Sequence, residues 1–389
     1  MSDRRLIRSP TPSQIALIAV VMLAVAIGLW LGRPRPVARL ASQTGAEPGT
    51  TVESGAGSGP LGSAGAAAGT PLPEEHVPTP PCWEGLLALD EGSSVEDLIA
   101  ALQLATDDPL LREYLQERLA QAIGDNAASA LSVIGRAVKA GAPLTGYLME
   151  AVKRAPAAQQ GKVVDKLLTL GTDAEASHEL RRAALDALES QHHLGAESIQ
   201  RLKAVALDDQ ADEVGWVAAR TLGRVMVEDY QRTGHFTDYW HELLDVGHRS
   251  TDAAVRALAL EMPSYGDIPV DSASIDQLGK ILKSDPDRQV REMAAFRLGL
   301  SREPERALQA FRESFSGESD LCVRWAIFRF AVRAAGAKSL PLLEQLAAAE
   351  PRLRPDYEDF RALYASGNVD FVRVWLGKPE RIQCLDEGE

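Results

Sequence analysis

The sequence predicts an all-α fold, a right-handed α-solenoid of about seven helical hairpins that follows a transmembrane helix and a disordered linker. Three observations support this prediction: the composition, a regular recurrence of apolar residues after residue 82, and a capping pattern at several helix starts. Aromatic residues make up 5% of the 389 residues and hydrophobic residues 45%, so the apolar content is mostly Ala, Leu and Val. Such side chains suit closely packed helices better than a β-sandwich, which uses more Thr, Tyr and Ile.

An uncharged run, SQIALIAVVMLAVAIGLWLG, occupies residues 13–32 and follows a short tail of residues 1–12. At about 1.5 Å per residue, a helix of this length spans a hydrocarbon core about 30 Å thick. The alternative is a cleaved signal peptide. The run, however, exceeds the usual apolar region of about 7–15 residues, and no A-x-A site follows it directly. We therefore interpret it as an uncleaved single-pass anchor.

Arginines flank both ends of this anchor, so the count of positive charges is nearly balanced between the two sides. A short N-terminal tail before a long C-terminal part is the common layout of single-pass bacterial proteins, which favours the N-terminus inside. We accordingly expect an inner-membrane protein whose C-terminal domain is periplasmic.

Residues 33–81 are dominated by Gly, Ala, Ser, Pro and Thr. They show neither helical nor strand periodicity and offer little apolar surface to bury, which predicts a disordered linker. Treated as a flexible coil, the linker reaches on the order of 40 Å. We expect the linker to set how far the repeat domain extends from the membrane, and we assign it no binding site.

Core-facing anchor positions recur at nearly constant spacing across residues 82–389, the predicted repeat domain. The intervals between successive anchors are 33, 36, 34, 41, 35 and 33 residues, and the longest holds an insertion around residues 234–239. The anchors are Leu111, Leu144, Leu180, Val214, Val255, Val290 and Val323. Apolar or small residues recur four and eight positions later, as Ala294 and Leu298 do after Val290, and these offsets lie on one helical stripe. One hairpin per period, stacked on its neighbours, is the pattern of a solenoid.

A charged pattern accompanies the anchors. An Asp lies three residues before four of the anchors, where it is placed to cap the helix N-terminus. An Arg directly follows five of the anchors, within reach of the Asp of its own repeat or of the next repeat. The predicted caps are Asp108, Asp252, Asp287 and Asp320, and the predicted ladder is Arg112, Arg181, Arg256, Arg291 and Arg324. Because a cap contributes typically about 1 kcal/mol, we expect the third and fourth repeats, which lack this Asp, to be weaker.

The segment DPDRQVREMAAFRLG at residues 285–299 resembles the HEAT-repeat family, particularly the bacterial HEAT-like repeats of the phycobilisome-lyase type. Weaker matches lie at residues 208–223 and 250–262, and the resemblance covers roughly residues 100–336. It implies an α-solenoid whose second helices line the concave face. It implies no particular activity of the family, because several repeats depart from the pattern.

Catalytic motifs are missing from the sequence, which contains no GxxxxGK[ST], GxSxG or HExxH. HEAT-type arrays include a di-iron hydroxylase built from paired His-Glu dipeptides. The two dipeptides of this chain, His178-Glu179 and His241-Glu242, occupy different repeat positions, and we interpret them as chance surface residues. We expect no enzyme activity and no cofactor.

Metal-binding and disulfide patterns are also weak. The adjacent His192 and His193 make a poor metal site without further ligands, so we predict no metal. The three cysteines form no CxxC. In a periplasmic domain Cys384 would fold back on Cys322, whereas Cys82 and Cys384 stand too far apart in an extended array for a disulfide. Free thiols are the preferred interpretation.

Partner-binding residues are predicted at positions two and six after the anchors, which point away from the buried stripe. Trp and Arg are the side chains most enriched at binding hot spots. The predicted residues are Trp216, Arg220, Glu292, Phe296, Trp325 and Arg329. The alternative, which we prefer for the aromatic residues, is that they pack against an adjacent repeat.

These observations predict a membrane-anchored scaffold or adaptor whose partners are proteins. The formal net charge of −14 argues against nucleic acid, because an acidic surface repels phosphate backbones. The alternative is an accessory factor or enzyme, chaperone-like or lyase-like, that acts on a client bound in the concave groove. A catalytic groove would require converging polar groups with perturbed pKa values, whereas a scaffold requires only a complementary surface.

Overall fold

The computed structural model describes residues 93–105, 107–208 and 213–367. All described residues belong to one unit of the chain, residues 77–389. The predicted tail, transmembrane anchor and linker of residues 1–81 lie outside the described residues. Within the described ranges, no helix has both the length and the apolar character needed to cross a bilayer.

The described part of the chain is all-α, as predicted, and contains no β-strand beyond an isolated bridge between Val270 and Ser301. Its helices in chain order are α1 (Val95–Leu104), α2 (Pro109–Ile123), α3 (Ala127–Ala140), α4 (Leu144–Arg154), α5 (Gly161–Thr172), α6 (His178–Leu188), α7 (Ala196–Leu207), α8 (Glu213–Thr233), α9 (Thr237–Arg249), α10 (Ala253–Glu261), α11 (Ser272–Ser284), α12 (Arg288–Leu298), α13 (Pro304–Phe315), α14 (Leu321–Ala335), α15 (Leu340–Ala349) and α16 (Arg354–Ala365).

These helices form hairpins that stack in two layers. Each odd-numbered helix packs on the even-numbered helix that follows it, from α1–α2 to α15–α16. Each even-numbered helix from α2 to α12 also packs on the next even-numbered one, which builds a continuous second layer. The described residues therefore contain the seven predicted hairpins and an eighth, α15–α16. The right-handedness of the solenoid stays a prediction.

The core lies between the two layers and follows the predicted stripe. All seven anchors are buried, and so are the residues four and eight positions after Val290, namely Ala294 and Leu298. Each hairpin alone would cover this stripe only in part. Stacking buries the rest, and apolar burial stabilises the fold by roughly 25 cal/mol per Å².

The predicted aspartates occupy helix N-caps and accept hydrogen bonds from backbone N–H groups. Their carboxylates lie 2.7 to 3.2 Å from the nitrogens that they cap, and the four are Asp108, Asp252, Asp287 and Asp320. The third repeat also has a cap, because the Ser177 hydroxyl accepts from the N–H of Leu180 at 3.3 Å. Serine therefore takes the place of the missing aspartate in the third repeat, and the lower stability of the third and fourth repeats stays a prediction.

Three of the predicted ladder arginines bind a carboxylate of the next hairpin, but that carboxylate is not the N-cap aspartate. It belongs to an acidic residue in the turn that joins the two helices of that hairpin, and Asp285 and Glu318 lie two positions before the next N-cap. The three pairs are Arg256–Asp285, Arg291–Glu318 and Arg324–Glu350. Each of these arginines also donates to a backbone carbonyl in its own turn, at Ser250, Asp285 and Glu318 respectively. Consecutive turns are thereby tied together by shared acceptors.

The remaining ladder arginines make other contacts. Arg181 is buried, and its Nε donates to the Gly171 carbonyl at 3.4 Å. The Arg112 guanidinium lies 4.7 Å from the Tyr147 ring centroid and donates to the hydroxyl of that tyrosine. The three pairs Arg256–Asp285, Arg291–Glu318 and Arg324–Glu350 lie in successive C-terminal hairpins.

The fourth hairpin is irregular and accounts for the 41-residue interval. Helix α8 has 21 residues, whereas the other even-numbered helices have 9 to 15. Gly234, at φ 77°, follows α8 directly and allows the chain to reverse into α9. The predicted insertion is therefore extra helix at the end of α8 followed by a tight turn.

One arginine is buried without an acidic partner among the described residues. The Arg297 side chain is fully buried, lies 5.1 Å from the Trp240 ring centroid and donates to the Ile268 carbonyl at 3.0 Å. Burial, with the neighbouring charge of Arg333, lowers the pKa of Arg297 to about 9. A cation in this position costs free energy that a single hydrogen bond offsets only in part.

Cys322, near the start of α14, is disulfide-bonded. The preference for free thiols is therefore wrong for this residue. Cys82 and Cys384 lie outside the described residues, so the choice between them as its partner does not follow from the structure.

Candidate partner-binding surface

The six residues predicted to bind a partner lie on three even-numbered helices, α8, α12 and α14. They differ in how much surface they present. Trp325 is only 5% exposed, and its ring stacks on Phe328 with 6.1 Å between centroids. Its position is therefore that of a core residue between repeats. Arg329, four residues later, is half-buried, with its guanidinium 4.6 Å from the Phe330 ring centroid.

The two predicted residues on α12 are half-buried against the next hairpin. Phe296 meets the Phe330 ring edge-on at 5.3 Å between centroids, and the Arg333 guanidinium lies 5.1 Å from the Phe296 ring. Glu292 pairs with Arg288 on the same helix at 3.1 Å. Burial raises the pKa of Glu292, although the charges of Arg288 and Arg329 oppose this shift.

The two predicted residues on α8 form a stacked pair. The Arg220 guanidinium lies 4.9 Å from the Trp216 ring centroid, and both side chains are half-buried. Arg220 also binds the carboxylates of Asp186 and Glu189, both from the preceding hairpin. The α6 carboxylate and the α8 guanidinium together hold the Trp216 ring at the surface of the layer.

Two concavities that share Arg182 and Asp186 lie along α4, α6 and α8, and we call them together the groove. One, of about 320 Å³, is lined by Arg182, Asp186, Trp216 and Arg220, among others. The other, of about 240 Å³, lies between α4 and α6 and also includes Arg182 and Asp186. Gly146 lines it at the position two residues after the Leu144 anchor, where a side chain would otherwise project.

The groove has mixed charge. Arg182 pairs with Glu213 and is still about half exposed, and the Asp186 side chain is 36% exposed. Burial raises the pKa of Asp186, and the nearby Arg220 charge opposes that shift. An apolar aromatic face beside an exposed guanidinium and a carboxylate is a surface suited to polar protein segments.

The two His-Glu dipeptides lie on separate helices, α6 and α9. His241 pairs with Asp271 at 3.0 Å, and Glu242 binds Lys203 of the preceding hairpin. Among the described residues, no group of three or more closely spaced potential ligands includes His178, Glu179, His241 or Glu242.

Sequence reasoning missed a polar cluster beside the irregular hairpin. His193 contacts Asp229 and Tyr239, and His235 lies close to the same carboxylate. The sequence signals were the long interval between Val214 and Val255 and the unexplained histidine pair. A second group, Glu292, Asp320 and Cys322, also converges. Its sulfur is engaged in a disulfide, so it offers no thiolate ligand.

A family model for HEAT repeats matches residues 275–355. The chain is a HEAT-repeat protein. The match begins within α11 and includes two ladder pairs, Arg291–Glu318 and Arg324–Glu350, whereas the α4–α8 groove precedes it. Comparison with curated proteins gives no match. HEAT repeats in general mediate protein–protein interaction and are in general not catalytic.

Proposed function

We propose that this HEAT-repeat protein is a membrane-anchored scaffold that binds a protein partner along α4, α6 and α8. The observation that supports this most directly is the groove in which Arg182 and Asp186 line both concavities, with Trp216 at one side. Aromatic and arginine side chains of this kind dominate the energetics of many interfaces. Of the six residues predicted to bind a partner, Trp216 and Arg220 line this groove, whereas Trp325 is buried.

The anchoring part of the proposal rests on the uncharged run at residues 13–32 and on the linker that follows it. A helix in the bilayer would hold the repeat domain near the membrane, and a linker reaching on the order of 40 Å would let it meet partners around the anchor. The proposed location is the inner membrane, with the repeats in the periplasm. Labelling of neighbouring proteins in whole cells by an enzyme fused to the C-terminus tests this location, and labelling confined to cytoplasmic proteins would contradict it.

Photo-crosslinking in the full-length chain tests the groove. A photoreactive amino acid replaces Arg182, which is about half exposed, and a control chain carries it at Lys166 on α5, exposed in the other layer. We expect a discrete crosslinked partner from position 182 that is absent from position 166. Equal products from both positions, or none from position 182 in cells that express the protein normally, would contradict the proposed surface.

A further inference from the structure

We propose that His193, Asp229 and His235 bind one Zn²⁺ ion. The three residues come from separate segments: the α6–α7 loop, the last turns of α8, and the turn between α8 and α9. One ligand atom from each lies within 4.8 Å of the others. Two imidazoles and one carboxylate are a donor set that Zn²⁺ takes in proteins, with a remaining position for water.

The irregularity of the fourth hairpin is what brings these groups together. The additional turns of α8 carry Asp229 and Thr233 beyond the length of the other even-numbered helices, and the turn at Gly234 places His235 beside them. His193 reaches the same point from the preceding hairpin. A regular repeat would end before residue 229, so the departure from the repeat coincides with the cluster.

Asp229 is the fixed member of the set. Its side chain is 3% exposed, and Oδ1 accepts a hydrogen bond from the Thr233 hydroxyl at 2.9 Å. Oδ2 lies 2.6 Å from His193 Nδ1 and 3.7 Å from His235 Nδ1. A buried carboxylate oxygen thus faces two imidazole nitrogens, with its other oxygen already satisfied.

Further contacts orient these ligands. The Tyr239 hydroxyl accepts from the Leu194 N–H at 2.8 Å and donates to Asp229 Oδ2 at 3.0 Å. His235 places its other nitrogen, Nε2, 3.3 Å from the Asp238 carboxylate. An imidazole that binds a metal through one nitrogen commonly donates the other N–H to a carboxylate, which fixes the ring and raises its basicity.

The ligand atoms, which lie within 4.8 Å of one another, must move to tetrahedral spacing when the ion binds. With metal–ligand bonds of about 2.0–2.1 Å, tetrahedral ligand atoms stand about 3.3 Å apart. The separation of His193 Nδ1 from Asp229 Oδ2 must therefore widen, and that of His235 Nδ1 must shorten slightly. Both imidazoles have room for this movement, because the His193 side chain is 61% exposed and the His235 side chain is 43% exposed. His193 also borders an open concavity with His192 and Arg232, through which solvent reaches it.

Zinc titration of the full-length, chelator-treated protein against a chromogenic chelator tests the proposal. We expect one Zn²⁺ per chain, and at least a tenfold weaker affinity in each of the variants His193→Ala and His235→Ala. The matched control is His192→Ala, the exposed neighbour of His193, which should bind Zn²⁺ as the unmodified chain does. Far-UV circular dichroism of each variant checks that its helices are retained.

A second measurement keeps the test independent of folding defects. Co²⁺ should give the intense visible absorption of a four-coordinate site in the unmodified chain and in His192→Ala, but not in His193→Ala. A wild-type affinity no tighter than that of His193→Ala, or an equal loss in His192→Ala, would overturn the proposal. The cluster would then be a hydrogen-bonded contact between hairpins and nothing more.

Discussion

Arg256 donates two parallel hydrogen bonds to Asp285, from Nε to Oδ2 and from Nη2 to Oδ1, both at 2.9 Å. The side chains are 8% and 5% exposed, so this ion pair between the fifth and sixth hairpins is almost entirely removed from water. Bidentate geometry and further acceptors for Arg256 at two backbone carbonyls offset the desolvation of both charges.

Replacing Arg256 with methionine should therefore destabilise the protein by about 3–5 kcal/mol, because it leaves the Asp285 carboxylate buried and unpaired. Urea unfolding followed by circular dichroism measures the loss. The double variant Arg256→Met, Asp285→Asn should be more stable than Arg256→Met alone, since asparagine carries no charge and still accepts from the Asp287 N–H. Equal stability of the two would show that the carboxylate is not the source of the loss.

Replacing Arg297 with methionine should not destabilise the protein, in contrast to the same substitution at Arg256. Arg297 is fully buried and has no carboxylate partner among the described residues. Methionine can pack on Trp240 and removes a desolvated charge, at the cost of the guanidinium–ring contact and of one hydrogen bond worth about 0.5–1.5 kcal/mol. We expect the urea midpoint of Arg297→Met to equal or exceed that of the unmodified chain. A loss comparable to that of Arg256→Met would contradict this account of the burial cost.

Two helical glycines should respond differently to alanine. A Cβ at Gly223 on α8 would lie 2.5 Å from both Cβ and Cγ of Met262, whereas a Cβ at Gly135 on α3 would meet nothing within 4 Å. Gly135→Ala should stabilise the protein by about 0.5–1 kcal/mol through helix propensity. Gly223→Ala should destabilise it by roughly 1–3 kcal/mol, because two packed helices must separate. Thermal unfolding of the pair gives the comparison, and a shift of the same sign in both would refute it.

Trp216 and Trp325 occupy equivalent repeat positions. Their alanine variants should distinguish a residue that binds a partner from a residue that stabilises the fold. Trp325→Ala removes a buried ring and should cost about 3–5 kcal/mol, whereas Trp216→Ala removes a half-buried ring and should cost less. Partner crosslinking from position 182 should fall in Trp216→Ala while its melting temperature stays nearer to that of the unmodified chain. A melting temperature reduced as far as in Trp325→Ala would mark Trp216 as a core residue.

Glu350 should make part of the stability depend on pH. Hydrogen bonds from Arg352 are the main cause and, with Arg324, they outweigh the opposing effect of burial and lower the pKa of Glu350 to about 2. Since the pKa is about 4.3 in an unfolded chain, the contribution is complete above about pH 5 and declines as pH falls towards 2. Glu350→Gln should therefore cost roughly 1–3 kcal/mol at pH 7 and progressively less below pH 4. If the loss of stability in Glu350→Gln is the same at pH 7 and pH 3, the lowered pKa of Glu350 is not its cause.

The repeat architecture was predictable from the sequence because its determinants are local. The anchors, the residues four and eight positions after them, and the capping aspartates each follow from spacing within one helix, as with Val290, Ala294 and Asp287. Helix boundaries and stacking then follow from the need to bury one stripe. The match of HEAT repeats to residues 275–355 coincides with the segment in which this pattern is most regular.

The ladder partners and the polar cluster depend on contacts between hairpins, which spacing along one helix does not reveal. Arg256 pairs with Asp285, 29 residues away in sequence, because stacking places the turn of the next hairpin beside the Arg256 guanidinium. His193 and Asp229 are 36 residues apart and share no local motif. In the sequence, the long interval between Val214 and Val255 and the adjacent His192 and His193 were the signals that something distinct lies there.

The ladder also determines how this chain can change in length. Glu318 offers its carboxylate to Arg291 and its backbone carbonyl to Arg324, so one residue serves two successive hairpins. Duplicating residues 286–318 would insert a new arginine together with a new turn acid, and every guanidinium would retain both kinds of acceptor. Growth by whole units of this size therefore preserves the chemistry at each junction, whereas a duplication shorter or longer than one unit would separate an arginine from one of its acceptors.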